Sequence, residues 1–149
     1  MKIQTITKQA RKVLPRKRCG AVIVAAGTAS RMGGIDKVMA PLKGEPMILH
    51  TVRAFQASPV IRQIVIVTRK DLVEQIGALC KDMDKVTAVV EGGADRQASV
   101  EAGLAAFSDK LAMVAVHDGA RPLITYEVID RSIRAAHTYG AAAPAIPLT

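Results

Sequence analysis

The chain has 149 residues, half of them hydrophobic, with 3% aromatics, no Trp and a formal net charge of +8. That is enough apolar material for one domain with a sizeable core, and too few aromatics for a stacked-base RNA module or an aromatic-rich β-sandwich. The charge is lopsided: residues 1–18 hold seven Lys or Arg and no acid, and the remainder is close to neutral, so nucleic acid is not an expected partner.

Residues 1–18 read as a solvated basic extension. Ile3, Ile6, Ala10, Val13 and Leu14 sit at helical spacing ahead of Pro15, which leaves a short basic helix on a membrane surface as the alternative. Nothing approaches the roughly 20 apolar residues of a membrane span, and the early chain has no apolar stretch typical of a signal peptide. Residues 20–26 form the first strand. Ile48, Val52 and Phe55 recur at helical spacing, with Pro46 suited to the first turn, and predict a helix over 47–56. The β-branched run 63–68 is a second buried strand. Leu72, Val73, Ile76, Leu79 and Cys80 mark the next helix, with Asp71 as its N-cap. Residues 87–90 are a short strand, 97–107 a helix with Val100, Leu104 and Phe107 on one face, and 111–116 a fourth strand. Thr125 caps a helix through Tyr139 that stops at Gly140, and 141–146 reads as a fifth strand. This alternation predicts an α/β domain over residues 19–149, with a mostly parallel sheet and helices on both faces. Cys19 and Cys80 have neither metal nor redox spacing and read as small core residues in a reducing cytoplasm.

In such sheets ligands sit beyond the carboxyl ends of the strands, and three loops there carry chemistry. The first, residues 27–37, follows an apolar strand with Gly27, Gly33 and Gly34 and brings in Arg31 and Lys37. Small residues let backbone N–H groups approach an anion that the two cations neutralise, which points to nucleotide phosphates. It is neither a Walker A loop nor a G-x-G-x-x-G fingerprint, and a surface loop with two solvated cations is the bland alternative. The second loop, residues 91–99, has Gly92-Gly93 for close approach to a planar ring and Ser99 to offer a hydroxyl to a base or phosphate. Asp95 is explained equally well by its place near a helix N-terminus. The third, residues 117–122, places Asp118 directly beyond an apolar strand, where one carboxylate can hold Mg²⁺ while substrate phosphates complete the shell. Gly119 keeps the backbone open, Arg121 pairs with a carboxylate of the core, and His117 reads as a hydrogen-bonded structural histidine. No Ser-His-Asp or Cys-His signature is present, so the site works by positioning and charge.

Taken together, Ala25-Ala26-Gly27, Arg31-Met32-Gly33, Lys37, Gly92-Gly93, Arg96, Ser99-Val100 and His117-Asp118-Gly119-Ala120-Arg121-Pro122 resemble the cytidylyltransferases that act on 2-C-methyl-D-erythritol 4-phosphate in non-mevalonate isoprenoid synthesis. The order and spacing match from about residue 20 to residue 149. The resemblance implies a Rossmann-like nucleotidyltransferase fold, a three-layer sandwich. It also implies transfer of CMP from CTP to the sugar-alcohol phosphate, with Mg²⁺ as cofactor and release of pyrophosphate. By the same resemblance Arg31 and Lys37 are the catalytic cations, Ala25, Ala26 and Gly27 lie along the nucleotide, and Gly93, Ala94 and Ser99 read cytosine. Asp118 is the metal-side carboxylate and Gly119 contacts the ribose. Ribitol-5-phosphate cytidylyltransferases look similar in all three loops, and a CTP-binding module without turnover is a further alternative. This chain has Ala29 where the family often has Gly, which stiffens the first loop. It has Ala94 where many members have Asp, and Asp36 where Pro or Asn is common, with a charge that partly opposes Lys37. The family usually continues for a further third, carrying acceptor-phosphate residues and the β-arm of a homodimer, and this chain is expected to lack them.

Overall fold

A computed structural model describes residues 19–27 and 36–147 of the chain. Four parallel strands form the main sheet: β1 (Cys19–Ala25), β4 (Ile61–Thr68), β5 (Val86–Glu91) and β6 (Met113–Asp118), in the spatial order β5-β4-β1-β6. The central pair explains the two most continuous apolar runs. Ala21, Val22 and Ile23 of β1 and Ile64, Val65, Ile66 and Val67 of β4 are fully buried, because a parallel strand with neighbours on both sides and helices on both faces meets no water. Each buried Val or Ile among them contributes roughly 1.5–3 kcal/mol relative to exposure, so this interior, rather than surface ion pairs, holds the domain together.

The alternation of side chains along β1 assigns the layers. Ala21, Ile23 and Ala25 share one cluster with Ile48, Val52 and Phe55 of α1 (Met47–Ala57), Ile76 of α2 (Val73–Leu79), and Ile129 and Ile133 of α4 (Tyr126–Tyr139). Val22, Val65 and Val67 face the opposite way, toward Ala106 and Phe107 at the end of α3 (Arg96–Ala105). Helices thus cover both faces, as expected. Gly103 sets the seat of α3: a Cβ there would lie 2.6 Å from Val22 and 2.8 Å from Val67.

Between β1 and α1 the chain makes a small hairpin, β2 (Pro41–Leu42) against β3 (Glu45–Pro46). Its turn residues Lys43 and Gly44 both have positive φ, 52° and 84°, the requirement of a tight two-residue hairpin turn. Glu45 forms an ion pair with Arg53 of α1, and Leu42 O is 2.8 Å from His50 Nε2.

Two expectations need correction. Residues 141–147 are exposed and irregular, with Ile146 87% exposed, so the fifth strand is absent and the sheet has four strands. Alanines are weak strand formers, and Pro144 has no N–H to give a ladder. Asp71 does not cap a helix. It lies in a 3-10 turn (Lys70–Leu72), and its carboxylate takes the Arg69 guanidinium instead. The stop at Gly140 is as expected, with φ 89° and its N–H on Ala136 O.

His117 is a packing residue. Its ring lies 5.2 Å from that of Phe55, tilted by 57°, and its buried Nδ1 has no hydrogen-bond partner among the described residues. The expected structural role is found, without a hydrogen bond at that nitrogen. Burial pushes its pKa below the ordinary 6.5, against the opposing pull of Asp118.

The fold makes two predictions. Gly103→Val should cost about 1–3 kcal/mol by overpacking, whereas Gly77→Ala, at a helical glycine with open space around it, should gain roughly 0.5–1 kcal/mol; urea unfolding reads both signs. Because native His117 favours the neutral form, its contribution to stability is fully present above 6.5 and is lost as pH falls from there toward the lowered native value. The urea midpoint of the wild type should therefore drop across that window, and His117→Asn should flatten the drop.

Candidate functional site

The strand order brings the three loops to one rim. The chain passes from β1 to β4 to β5 on one side and then crosses to β6 on the other. The order therefore reverses between β1 and β6, the place where open α/β sheets leave a crevice. Ala25 is level with Thr68 of β4, and Val24 with Asp118 of β6. Beyond them Ala26 and Gly27 continue into the first loop.

The second loop reaches this floor from the β4 side. Gly92 donates its N–H to Thr68 O at 2.8 Å, and a Cβ on Gly92 would lie 2.5 Å from the Ala26 methyl and 2.8 Å from Ser99 Oγ. A Cβ on Gly93 would lie 2.3 Å from that of Ala98. The double glycine is therefore demanded by close packing of the loop on Ala26 and on α3, a structural reason that the sequence alone did not supply. Asp95 is the N-cap of α3, accepting from Ala98 N at 2.8 Å. Ser99 is buried, and its hydroxyl donates to Asp95 O at 2.8 Å, so that proton is used within the loop. Gly93 and Ala94 are exposed.

The third loop closes the other side. Gly119 donates to Val24 O at 2.8 Å, and its own carbonyl accepts from the buried Thr51 hydroxyl at 2.8 Å. Its backbone is thus engaged within the fold, and what it offers a ligand is the space of a missing side chain. Asp118 stands half-buried between two guanidiniums, Arg96 Nη1 at 2.6 Å from Oδ1 and Arg121 Nε at 2.9 Å from Oδ2. The carboxylate expected for Arg121 is therefore Asp118, at the rim rather than in the core. The Arg96 pair bridges the second and third loops directly. An open cleft of about 640 Å³ lies here, lined by Arg96, Asp118, Arg121, Pro122 and Leu123 among others. Two cations around one anion leave it net positive, which suits a phosphorylated ligand.

Of the first loop, Arg31 lies outside the described residues. Lys37 is exposed, and the backbone around it is tied down: Ala40 N–H to Lys37 O at 3.3 Å and Ile48 N–H to Val38 O at 2.9 Å. Asp36 is held by groups other than Lys37. One carboxylate oxygen accepts from Val38 N at 3.2 Å, and the other pairs with Arg69 at 2.7 Å. Sequence reasoning missed Arg69, although an Arg directly after the buried run 63–68 and two residues before an Asp was a readable signal.

Among the described residues of this rim, Asp118 is the carboxylate placed to meet a hard divalent cation beside the cleft. The described residues hold no group of three or more His, Cys, Asp or Glu side chains able to hold a metal. Asp118 supplies one carboxylate beside a phosphate-sized positive cleft. That donor set suits Mg²⁺ arriving with a polyphosphate, whose oxygens and water complete the shell, with Arg96 or Arg121 giving up a carboxylate oxygen.

Comparison with known proteins follows the same outline. The family model described as IspD: 2-C-methyl-D-erythritol 4-phosphate cytidylyltransferase matches residues 19–149. A protein of that name from Dehalococcoides mccartyi is 43% identical over 134 residues, covering 89% of this chain and 59% of the relative. One from Symbiobacterium thermophilum is 44% identical over 128 residues, covering 85% and 53%. The chain thus spans little more than half the length of the curated relatives it matches. Among solved structures, 4-diphosphocytidyl-2C-methyl-D-erythritolsynthase from Anaerococcus prevotii superposes with a TM-score of 0.70 at 27% identity, over 82% of this chain and 52% of that one. Bifunctional IspDF from Campylobacter jejuni, at 0.64 and 22% identity over 82% and 31%, shares the fold. With the match running through all three rim loops, the chain belongs to the IspD, 2-C-methyl-D-erythritol 4-phosphate cytidylyltransferase, family.

Proposed function

We propose that this chain is the nucleotide-binding part of an enzyme that transfers CMP from CTP to 2-C-methyl-D-erythritol 4-phosphate. The observation that carries the reading is the meeting of the three loops along one rim of the sheet, Ala26 against Gly92, Gly119 on Val24, and Arg96 on Asp118, beside a positive cleft. In the reaction an acceptor phosphate oxygen forms a bond to the α-phosphorus of CTP, and the bond from that phosphorus to the bridging oxygen breaks to release pyrophosphate. Charge builds on the non-bridging oxygens, and preorganised cations are the main means of stabilising it. Arg31 and Lys37 take that role. Ala25, Ala26 and Gly27 lie along the nucleotide, Gly93 and Ala94 meet cytosine, Ser99 serves that loop through its hydroxyl oxygen while its proton is held by Asp95 O, and Gly119 leaves room for the ribose. Asp118 would hold Mg²⁺, which when bound offsets triphosphate charge.

No helix among the described residues is long and apolar enough to cross a membrane. Cys19 and Cys80 are buried free thiols, each pushed up to about 11 by burial. We place the protein in a reducing cytoplasm.

Calorimetry on the 149-residue chain should show CTP binding that needs Mg²⁺ and discriminates against ATP. Pyrophosphate release with methylerythritol phosphate, and none with ribitol phosphate, would identify the acceptor. CTP binding with neither acceptor turned over would reduce the chain to a binding module, and no CTP binding would contradict the reading. In a form that turns over, Lys37→Ala should lower kcat by about 10²–10³, or roughly 2.7–4 kcal/mol, with a smaller loss of CTP affinity.

A further inference from the structure

We propose that Arg69 is a positioning residue for Lys37, acting through Asp36. The inference rests on the reading that Lys37 faces the triphosphate. Arg69 is the first residue beyond β4, on the same rim as Ala25 and Ala26. Its guanidinium side chain is only 26% exposed and touches two carboxylates. Asp71, two residues on, takes a two-pronged grip, Nε to Oδ1 and Nη2 to Oδ2, each at 3.1 Å. That grip fixes the guanidinium plane on its own loop, as a bidentate arginine–carboxylate pair does. The same Nη2 lies 2.7 Å from Oδ2 of Asp36. Asp71 and then Asp36 hold the guanidinium firmly in its charged form.

Asp36 is distant in sequence but immediately precedes Lys37. Its second oxygen accepts from Val38 N at 3.2 Å, so the carboxylate is gripped on one side by the end of β4 and on the other by the backbone just past Lys37. Two consequences follow. The Lys37 backbone is tied on one side to Arg69 at the end of β4 and on the other to α1 through Val38 O. Both Asp36 oxygens are also engaged, so this carboxylate does not close onto the neighbouring ammonium, which stays available to a phosphate. Arg69 cannot serve as a phosphate ligand itself while it holds two acids.

Charge and position make opposite predictions for one substitution. Asp36→Asn keeps an oxygen for Val38 N and removes the grip of Arg69. Deleting a negative charge beside Lys37 would by itself tighten CTP binding; losing the position of Lys37 would weaken it. The test is calorimetry of CTP with Mg²⁺ on the 149-residue chain, with far-UV circular dichroism to verify folding. Asp36→Asn and Arg69→Ala should each weaken CTP by about tenfold, since small misplacements of a charged contact are costly. In a Lys37→Ala background Arg69→Ala should add no further loss. Arg69→Lys should not rescue, because an ammonium lacks the planar two-point grip that fixes the guanidinium on Asp71 while Nη2 reaches Asp36. Tighter or unchanged binding in Asp36→Asn overturns the proposal, as does a full additional loss from Arg69→Ala when Lys37 is already gone. If Arg69→Ala does not fold, Asp36→Asn carries the decision. Wild-type affinity in Lys37→Ala overturns the reading of Lys37, and with it the proposal.

Discussion

β1 ends with small side chains where it has a neighbour on either hand, and the rim is built on that. Ala25 and Ala26 leave room for Gly92 to come in across Thr68 and for Gly119 to hydrogen-bond Val24. Any side chain on Gly92 would collide with the Ala26 methyl and Ser99 Oγ at 2.5 and 2.8 Å. A larger residue at 26 would push the second loop off the floor by the same argument, since a packed interior absorbs little added volume. This constraint is steric, yet its product is functional: two loops otherwise separated by the width of β4 and β1 meet over one short backbone segment.

The charges at the rim are organised around that floor rather than for stability. Exposed or half-exposed ion pairs contribute about 0–1 kcal/mol each, which is small beside the apolar interior of β1 and β4. Their geometry matters more. Arg96 spans two loops to reach Asp118, and Arg69 spans two to reach Asp36. Asp118 and Asp36 are thereby each held by a cation from a different segment. The result is a rim on which these two carboxylates are fixed and Lys37 is exposed, an arrangement suited to binding anions by position.

Much of this was legible in the sequence, for definite reasons. β1 and β4 are buried on both faces and so show as unbroken apolar runs, and the loops at their ends show as breaks in that pattern. The outer strand β6 was placed two residues early because it is only partly buried, and partial burial blurs the pattern at a strand's ends. Residues 141–146 read as a strand from apolarity alone, although alanine and proline form ladders poorly. Asp36 and Arg69 could not be paired from sequence, since they lie far apart in the chain and meet only through the tertiary fold. Asp71 looked like a cap for the ordinary reason that it precedes an apolar helical pattern. The double glycine looked like an adaptation to a ligand, and its tight contacts with Ala26 and Ala98 are seen only once the loops are in place.

The central claim is that one crevice at the carboxyl rim takes the nucleotide with its base toward the second loop and its phosphates toward Lys37. Titrating CTP and Mg²⁺ into isotope-labelled chain and following backbone amides by NMR tests it most directly. The account predicts shifts concentrated at Ala26, Gly27, Lys37, Gly93, Ala94 and Gly119, with CMP perturbing the second loop but leaving Lys37 nearly unmoved. Shifts confined to the opposite, amino-terminal edge of the sheet, or to one loop with the others silent, would contradict it.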